Sequence, residues 1–430
     1  IVWAKAIGDN TGNAQEPLGL AVDSEGNVYT CGRFQGAPDF DPGLDTLIME
    51  ALERRGFIHK MDTDGNLLWV GAPDEPSELS GIVLDSLDNV YVAGIYHDTI
   101  DVDPGPDTLI LESSHGGRDS FVMKLDPNGN ALWANNISGN GTGQWGDYGT
   151  EVANSIALSP LGRILVCGSF TDTLNTYPDG ELVQLVSNGE EDIFILEYDL
   201  DGDFLKATII GGSLGDGGGF FLRPLKIETD PLGNIYIRGL INNSNPEYNI
   251  DLDLGPDTTW SQDLGIVHYF IAKYDPDFNL IWAMPSNNGV ADFAVGSNQE
   301  IYITGTFNDT IDLDPGPLQQ LYINQAGSGS DMYVLKLNQA SLLTTQQPMV
   351  SLGELEVSVY PNPSTRNFNL DVPEMTGSID YSVSDLTGRL IESGAVQSSR
   401  FQIKLAARPG VYLLTLHSDD DWAVVRLVRE

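Results

Sequence analysis

One hairpin is written five times into the first three quarters of this chain, and that repetition limits the fold more than any other feature. The copies start at Gly19 (GLAVDSEGNVYTCG), Gly81 (GIVLDSLDNVYVAG), Ser155 (SIALSPLGRILVCG), Leu225 (LKIETDPLGNIYIRG) and Phe293 (FAVGSNQEIYITG). A second hairpin follows each copy at a distance, from Phe57, Phe121, Phe194, Phe270 and, in degenerate form, Met332. Successive copies lie roughly 60 to 75 residues apart, room for four strands and one extended loop.

Each unit therefore reads as four antiparallel strands, a to d in chain order. Val28-Tyr29-Thr30-Cys31 and Val90-Tyr91-Val92-Ala93 are β-branched and aromatic runs bounded by glycine. Joints such as Asp126 to Asn130 supply turn residues and a glycine able to take positive φ. A sheet apolar on both faces is not stable alone, whereas radial stacking buries both. The expected fold is all-β: a five-bladed β-propeller of four-stranded blades over residues 1–338. Ile1 to Gly8 matches the d strands around Trp69, Trp133 and Trp282, and the fifth repeat lacks a good d strand. The N-terminal strand 1–8 is therefore expected to close the ring, the alternative being a remnant of an earlier blade. Residues 339–354 read as a polar linker. Residues 355–430 hold about seven short alternating stretches separated by turns, the pattern of a small immunoglobulin-like β-sandwich.

Composition decides which partners are excluded. The chain carries 62 Asp+Glu against 21 Lys+Arg, a formal charge of -41. Binding nucleic acid or an anionic membrane means neutralising phosphates with Lys and Arg, so both are disfavoured. No apolar run reaches the ~18 residues of a membrane span. The chain opens at Ile1 rather than Met, which suggests a chain that is either truncated or processed by removal of a signal peptide. Its two cysteines, Cys31 and Cys167, fall at the same place on strand b of units one and three and read as small buried residues.

The combination of GNVYxxG, an acidic DxDPG loop and FVxKLDxxGNxxWA resembles the SBBP-type propeller repeats of secreted Bacteroidota proteins. That resemblance covers roughly residues 1 to 345 and implies architecture rather than activity. At the other end, Tyr360-Pro361-Asn362-Pro363, Asp385-Leu386-Thr387-Gly388-Arg389, Pro409-Gly410-Val411-Tyr412 and Val424 to Arg429 are similar to the type A C-terminal sorting domain of the type IX secretion system. The resemblance implies that residues 355–430 engage the type IX machinery, which carries the chain across the outer membrane to the cell surface or the medium. In that family the closing segment is commonly rich in Lys; here it uses Arg and ends on Glu430.

The acidic loops between strands b and c are the candidate sites. Asp39 and Asp41, Asp101 and Asp103, Asp251 and Asp253, and Asp312 and Asp314 are i, i+2 pairs. In extended backbone such pairs face one way and can present two carboxylates to one cation, calcium being the hard cation that oxygens suit. The competing reading is that Asp-Pro-Gly is turn chemistry and the side chains cap local backbone. The turn reading is preferred, because the pattern is neither the EF-hand nor the nonapeptide calcium repeat. Asp-Thr followed by an apolar residue recurs at Thr46, Thr99, Thr108, Thr173 and Thr310 and looks like the O-glycosylation sequons of Bacteroidota envelope proteins. The five histidines sit in no metalloprotease or nucleophile motif, and His59 reads as a packed side chain. Gly211 to Gly219 has the glycine content of a phosphate loop without its Lys. The expected function is a non-enzymatic, exported propeller that binds an extracellular protein or glycan. The alternative is a polysaccharide lyase or glycosidase on the same scaffold, which needs a placed carboxylate pair that a chain this acidic does not single out.

Overall fold

The structure is a computed structural model. It describes residues 2–9, 13–113, 118–139, 151–176, 182–187, 191–212, 221–242, 250–252, 267–286, 289–296, 300–308, 310–313, 321–324, 329–338, 352–353, 358–360, 367–372, 378–385, 389–406, 408, 410–417 and 422–429. Every regular element among them is a β-strand, and no helix is long and apolar enough to cross a membrane. Contacts divide the chain into two units, Ile1–Leu280 with Pro285–Ser297 and Ile281–Met284 with Asn298–Glu430.

The first unit is built from the repeats. Gln15–Val22, Val28–Gly36, Ala51–Met61 and Leu67–Gly71 form the first sheet, each strand antiparallel to its chain neighbour. Ser77–Leu84, Val90–His97, Arg118–Leu125 and Ala131–Gly139 form the second. Val152–Ser159, Arg163–Phe170, Asp192–Asp199 and Phe204–Gly212 form the third. The fourth begins with Phe221–Thr229, Ile235–Asn242 and Val267–Tyr274, and Gly289–Val295 opens the fifth repeat. A bulge recurs at one position of the a–b ladder, at Pro17/Gly19, Leu79/Gly81, Ala153/Ser155 and Pro224/Lys226. Bulges bend strands and raise the local twist, so the repeat includes its curvature as well as its strands.

Strand a of each sheet lies beside strand a of the next. Gly19 and Gly81 permit this approach: a Cβ on Gly19 would stand 3.0 Å from Ile82, and one on Gly81 3.0 Å from Ile156. Ser80 Oγ donates to Ala153 O at 2.6 Å, Thr229 Oγ1 to Leu158 O at 3.0 Å, and Val295 N to Glu228 Oε2 at 2.9 Å. Two buried clusters fill the spaces between sheets. One holds Cys31 and Ile58 of the first sheet with Ile82 and Val92 of the second, and the other joins Ala93 and Val122 to Ile156 and Val166. Burial pushes the Cys31 thiol up to about 12, which keeps it an inert packing group.

Part of the acidity is turn chemistry. In the Asp126 turn, Oδ1 accepts from Asn128 N at 2.8 Å and Asn130 N at 2.9 Å, while Oδ2 accepts from Asn130 Nδ2 at 2.8 Å. The same pattern recurs at Asp23, Asp62, Asp85, Asp230 and Asp275, and in part at Asp199. Burial pushes the Asp85 carboxyl up, but bonds from Asn89, Leu87 and Tyr91 outweigh it and hold the group below its ordinary value. Several scarce cations are also internal. Lys60, Lys124 and Lys273 lie over the rings of Tyr29, Tyr91 and Tyr236 at 4.6, 5.1 and 5.1 Å. The third sheet has Leu165 and Glu197 in those places, and Glu197 is paired by Arg163 at 3.0 Å.

Successive sheets are fastened by strand d. The Trp69 indole donates to Pro127 O at 3.2 Å and its ring covers Gly129, where φ is 89°. Trp133 covers Gly202 in the same way, with φ 91°. Lys206 stands where the tryptophan would, and the glycine it would cover is Phe278, with the ammonium 4.8 Å from that ring. Five residues beyond each of these positions, the chain meets the b–c hairpin of the following repeat. Asp74 N donates to Asp101 O, Ser138 pairs Asn175, and Gly211 pairs Asp251.

The N-terminal segment follows that rule without forming the strand expected at residues 1–8. Residues 2–7 carry no ladder, and Ile1 lies outside the described residues. Even so, Trp3 donates to Thr63 O at 2.9 Å and lies on Gly65, and Gly8, five residues on, bridges Asp39. Trp3 and Gly8 thus stand to the first sheet as Trp69 and Asp74 stand to the second.

In the second unit, Glu300–Phe307 pairs Asp331–Asn338, and Thr310–Asp312 pairs Leu321–Ile323. Its C-terminal part has two sheets. One is ordered Leu352–Gly353, Trp422–Arg429, Gly410–His417, Ile379–Asp385, Leu390–Val396; the other contains Ser358–Tyr360, Asn367–Asp371 and Arg400–Lys404. Phe368, Leu370, Val383, Ile403, Leu414 and Leu427 are the fully buried centre of its core. Tyr412 donates to Arg408 O at 2.7 Å, a hydroxyl-to-upstream-backbone bond of the kind that fixes sandwich corners. Leu352 and Gly353, inside the expected linker, pair Val424 and Ala423, so this sheet starts before residue 355. Residues 339–351 and 354 of that linker lie outside the described residues.

Candidate functional site

The aspartates proposed as cation ligands cap their own loops where their side chains are described. Asp39 Oδ1 accepts from Asp41 N at 3.0 Å and Leu47 N at 2.9 Å, and Asp41 Oδ1 accepts from Gly43 N at 2.7 Å. The second repeat copies this: Asp101 Oδ1 accepts from Asp103 N at 3.1 Å and Leu109 N at 2.8 Å, and Asp103 Oδ1 from Gly105 N at 2.7 Å. Each loop is a chain of Asx turns, and the first Asp also ties the hairpin across eight residues. Among the described residues no group of three or more His, Cys, Asp or Glu converges as a metal site. Asp253 and Asp314 lie outside the described residues, as do the side chains of Asp251 and Asp312. Replacing Asp101 with alanine strands two amides and should cost about 1 to 3 kcal/mol. A thermal melt with and without calcium checks it: a capping carboxylate gives the same loss in both, a metal ligand a loss only with calcium.

The Asp-Thr sites divide by position. Asp98 and Asp172 have φ of 56° and 57°, the left-handed conformation that turns strand b into its hairpin, and Gly36 (φ 93°) holds the corresponding place in the first repeat. Their carbonyls accept from Ser113 N and Ser187 N at 2.7 and 2.8 Å. Backbone geometry thus gives those aspartates a use of their own. Thr46, Thr99, Thr108 and Thr310 are exposed, whereas the Thr173 hydroxyl is buried and out of reach of a transferase.

Nothing in the sequence motifs pointed to the cavity between the first two sheets. It encloses about 830 Å³, at the end where strand c of the first sheet starts and strand b of the second finishes. Glu53 and Arg54 line one side, Glu75 and Glu78 another, and His97 and Arg118 a third. His97 and Arg118 are direct partners in the b–c ladder, so two cation-forming groups face each other on one pair of strands. Burial, then the Arg118 charge, holds the His97 imidazole below its ordinary value, although Asp98 and Glu53 pull it the other way. The Arg118 Nε is buried without a hydrogen-bond acceptor. Neither Arg54 nor Arg118 has an ion-pair partner among the described residues. Glu78 is already held by Arg33, which also grips Glu16. The only sequence sign of this site is that Arg54, Arg55 and Arg118, in a chain poor in cations, stand at the starts of c strands.

His59, expected to be a packed side chain, is fully buried, and its Nε2 lies 3.0 Å from Phe40 O. Burial lowers its pKa, so the ring is neutral and Nε2–H donates to that carbonyl. Of the glycine-rich stretch, Ser213 to Gly219 lie outside the described residues.

The uncharacterized WD repeat-containing protein L264 of Acanthamoeba polyphaga mimivirus is 29% identical over 209 residues, 44% of this chain and 14% of that protein. The chain thus spans only a small part of that relative's length. Among solved structures, a protein of unknown function from Bacteroides caccae matches with a TM-score of 0.32 and 11% identity, over 68% of this chain and 71% of that one. A fungal alcohol oxidase of the AA5 family, in complex with copper, matches at 0.29 and 9%, over 96% of this chain and 85% of that one. Scores this low carry no weight for fold or activity. Residues 358–430 match the family of secretion system C-terminal sorting domains, so the chain ends in a type IX sorting domain.

Proposed function

We propose that residues 1–338 form a five-bladed β-propeller that binds a partner or ligand outside the cell without chemistry. The C-terminal domain supplies the route outward through the type IX machinery. The observation that carries the export reading is the family match at residues 358–430. Five spelled repeats, strands a side by side, and a fastening register that repeats from sheet to sheet support the propeller. Trp3 and Gly8, which stand to the first sheet as a preceding d strand would, support a ring in which the N-terminal segment takes a d-strand place. The binding reading is supported by equivalent, self-capped loops in successive repeats, which suit a presentation surface better than one reactive centre.

Deleting residues 355–430 is the decisive experiment for export. The truncated chain should fold, melt cooperatively and stay inside the outer membrane of the producing cell. Normal appearance of that chain at the surface or in the medium would remove the sorting role.

A further inference from the structure

The geometry points to the cavity between the first and second sheets as the binding site for a saccharide that carries a carboxylate, held by Arg54 and Arg118. The inference rests on reading the exported part as a binding module. In a chain of charge -41, an arginine without an acidic partner is unexpected, because acids outnumber bases almost three to one. Two arginines without an acidic partner among the described residues face this one cavity, and Arg118 keeps a buried Nε–H without an acceptor. An unpaired buried donor is costly, and a guanidinium matches a carboxylate in shape, so an arriving carboxylate meets an unmet need. An anion beside Arg118 would also offset the charge that, after burial, holds the His97 imidazole below its ordinary value.

The remaining lining selects the rest of the ligand. Glu53, Glu75 and Thr99 offer exposed oxygen acceptors around the two arginines. Hydroxyl groups are donors that such acceptors bind well. A sugar acid brings one negative charge and several hydroxyls, matching both parts of the lining. An acidic peptide brings carboxylates without hydroxyls, so it answers the arginines and leaves Glu53, Glu75 and Thr99 without donors.

Titration calorimetry on the full chain tests this with three probes: trigalacturonate, the neutral trisaccharide maltotriose, and triglutamate. Trigalacturonate should bind and the other two should not. Arg54→Ala and Arg118→Gln should each weaken binding by about tenfold or more, the loss of one charge-assisted pair. Arg54 is exposed, so its variant keeps the fold, and an unchanged melt establishes that for both. No heat with trigalacturonate, equal affinity for maltotriose, binding of triglutamate, or affinity unmoved by either substitution would each overturn the assignment. Steady turnover of trigalacturonate would overturn the binding-module reading alone and leave the ligand class standing.

Discussion

Trp69→Ala should lower the unfolding free energy by about 3 kcal/mol, the low end of the range for truncating a large aromatic, because the ring is half-buried. Three contacts are lost together. The indole N–H to Pro127 O bond disappears, Gly129 is left uncovered, and the edge contact with Tyr29, at 6.1 Å and 76°, goes with the ring. Leu68→Ala next to it, at a side chain already exposed, should stay within about 0.5 kcal/mol. Denaturant melts of the two variants give the comparison, and equal losses would mean that the tryptophan is not a fastening between sheets. Lys206 and Phe278 sharpen the expectation. There the covering group is a cation and the covered residue an aromatic held at φ 69°, so both halves of the contact differ from the tryptophan–glycine form. Lys206→Trp alone would press an indole against a phenyl ring, and Phe278→Gly alone would leave the lysine over nothing. The double change should therefore be less damaging than the sum of the singles, a coupling that a double-mutant cycle reads directly.

Local features of this kind were legible in the sequence to different degrees. The Asp126 to Asn130 spelling announces its turn, because a carboxylate two and four residues before free amides has few other places to go. The strands of the repeats were equally plain, since Val90-Tyr91-Val92-Ala93 is a β-branched and aromatic run, although the strand it announces continues through Gly94 to His97. The fastening of each hairpin to the sheet before it was not legible. Asp101 meets Asp74 and Asn175 meets Ser138 through register between separate repeats, which no local pattern encodes. His97 and Arg118 oppose each other for the same reason: twenty residues of hairpin separate them in the chain, and only the ladder makes them neighbours. Leu352 and Gly353 read as linker because a two-residue edge strand has no periodicity to detect. The acidic pairs show the reverse case, a strong pattern with two chemical readings, where the described pairs, Asp39 with Asp41 and Asp101 with Asp103, bond to their own backbone.

Glu151→Gln should remove a pH dependence and stabilise the protein at alkaline pH. Glu151 is fully buried at the start of strand a of the third sheet, and neither carboxylate oxygen has a hydrogen-bond partner. It sits against Gly139, where a Cβ would fall 1.9 Å from Oε1, so the end of the preceding d strand leaves the carboxyl no room to turn away. Burial first, then the nearby charge of Asp119, pushes its pKa up to about 8 from an ordinary 4.5. Between those two values the folded protein holds a proton that the unfolded chain has released. Stability from this group is therefore complete below pH 4.5, falls as pH rises through that window, and levels off above about 8. The slope is about 1.4 kcal/mol per pH unit, so the whole window is worth on the order of 3 to 5 kcal/mol. Glutamine keeps the shape and cannot ionise. Wild type and variant should melt together at pH 4.5, and the variant should be the more stable by that amount at pH 8.5. The capped aspartates do not blur this window. Asp23, Asp85, Asp126 and Asp230 have pKa values below the ordinary 3.8, so their contribution is present above 3.8 and is lost only in stronger acid. Denaturant melts of both proteins across pH 4.5 to 8.5 decide the matter. A wild-type stability curve parallel to that of the variant over this range would mean that Glu151 folds ionised, its charge balanced by a cation rather than removed by a proton.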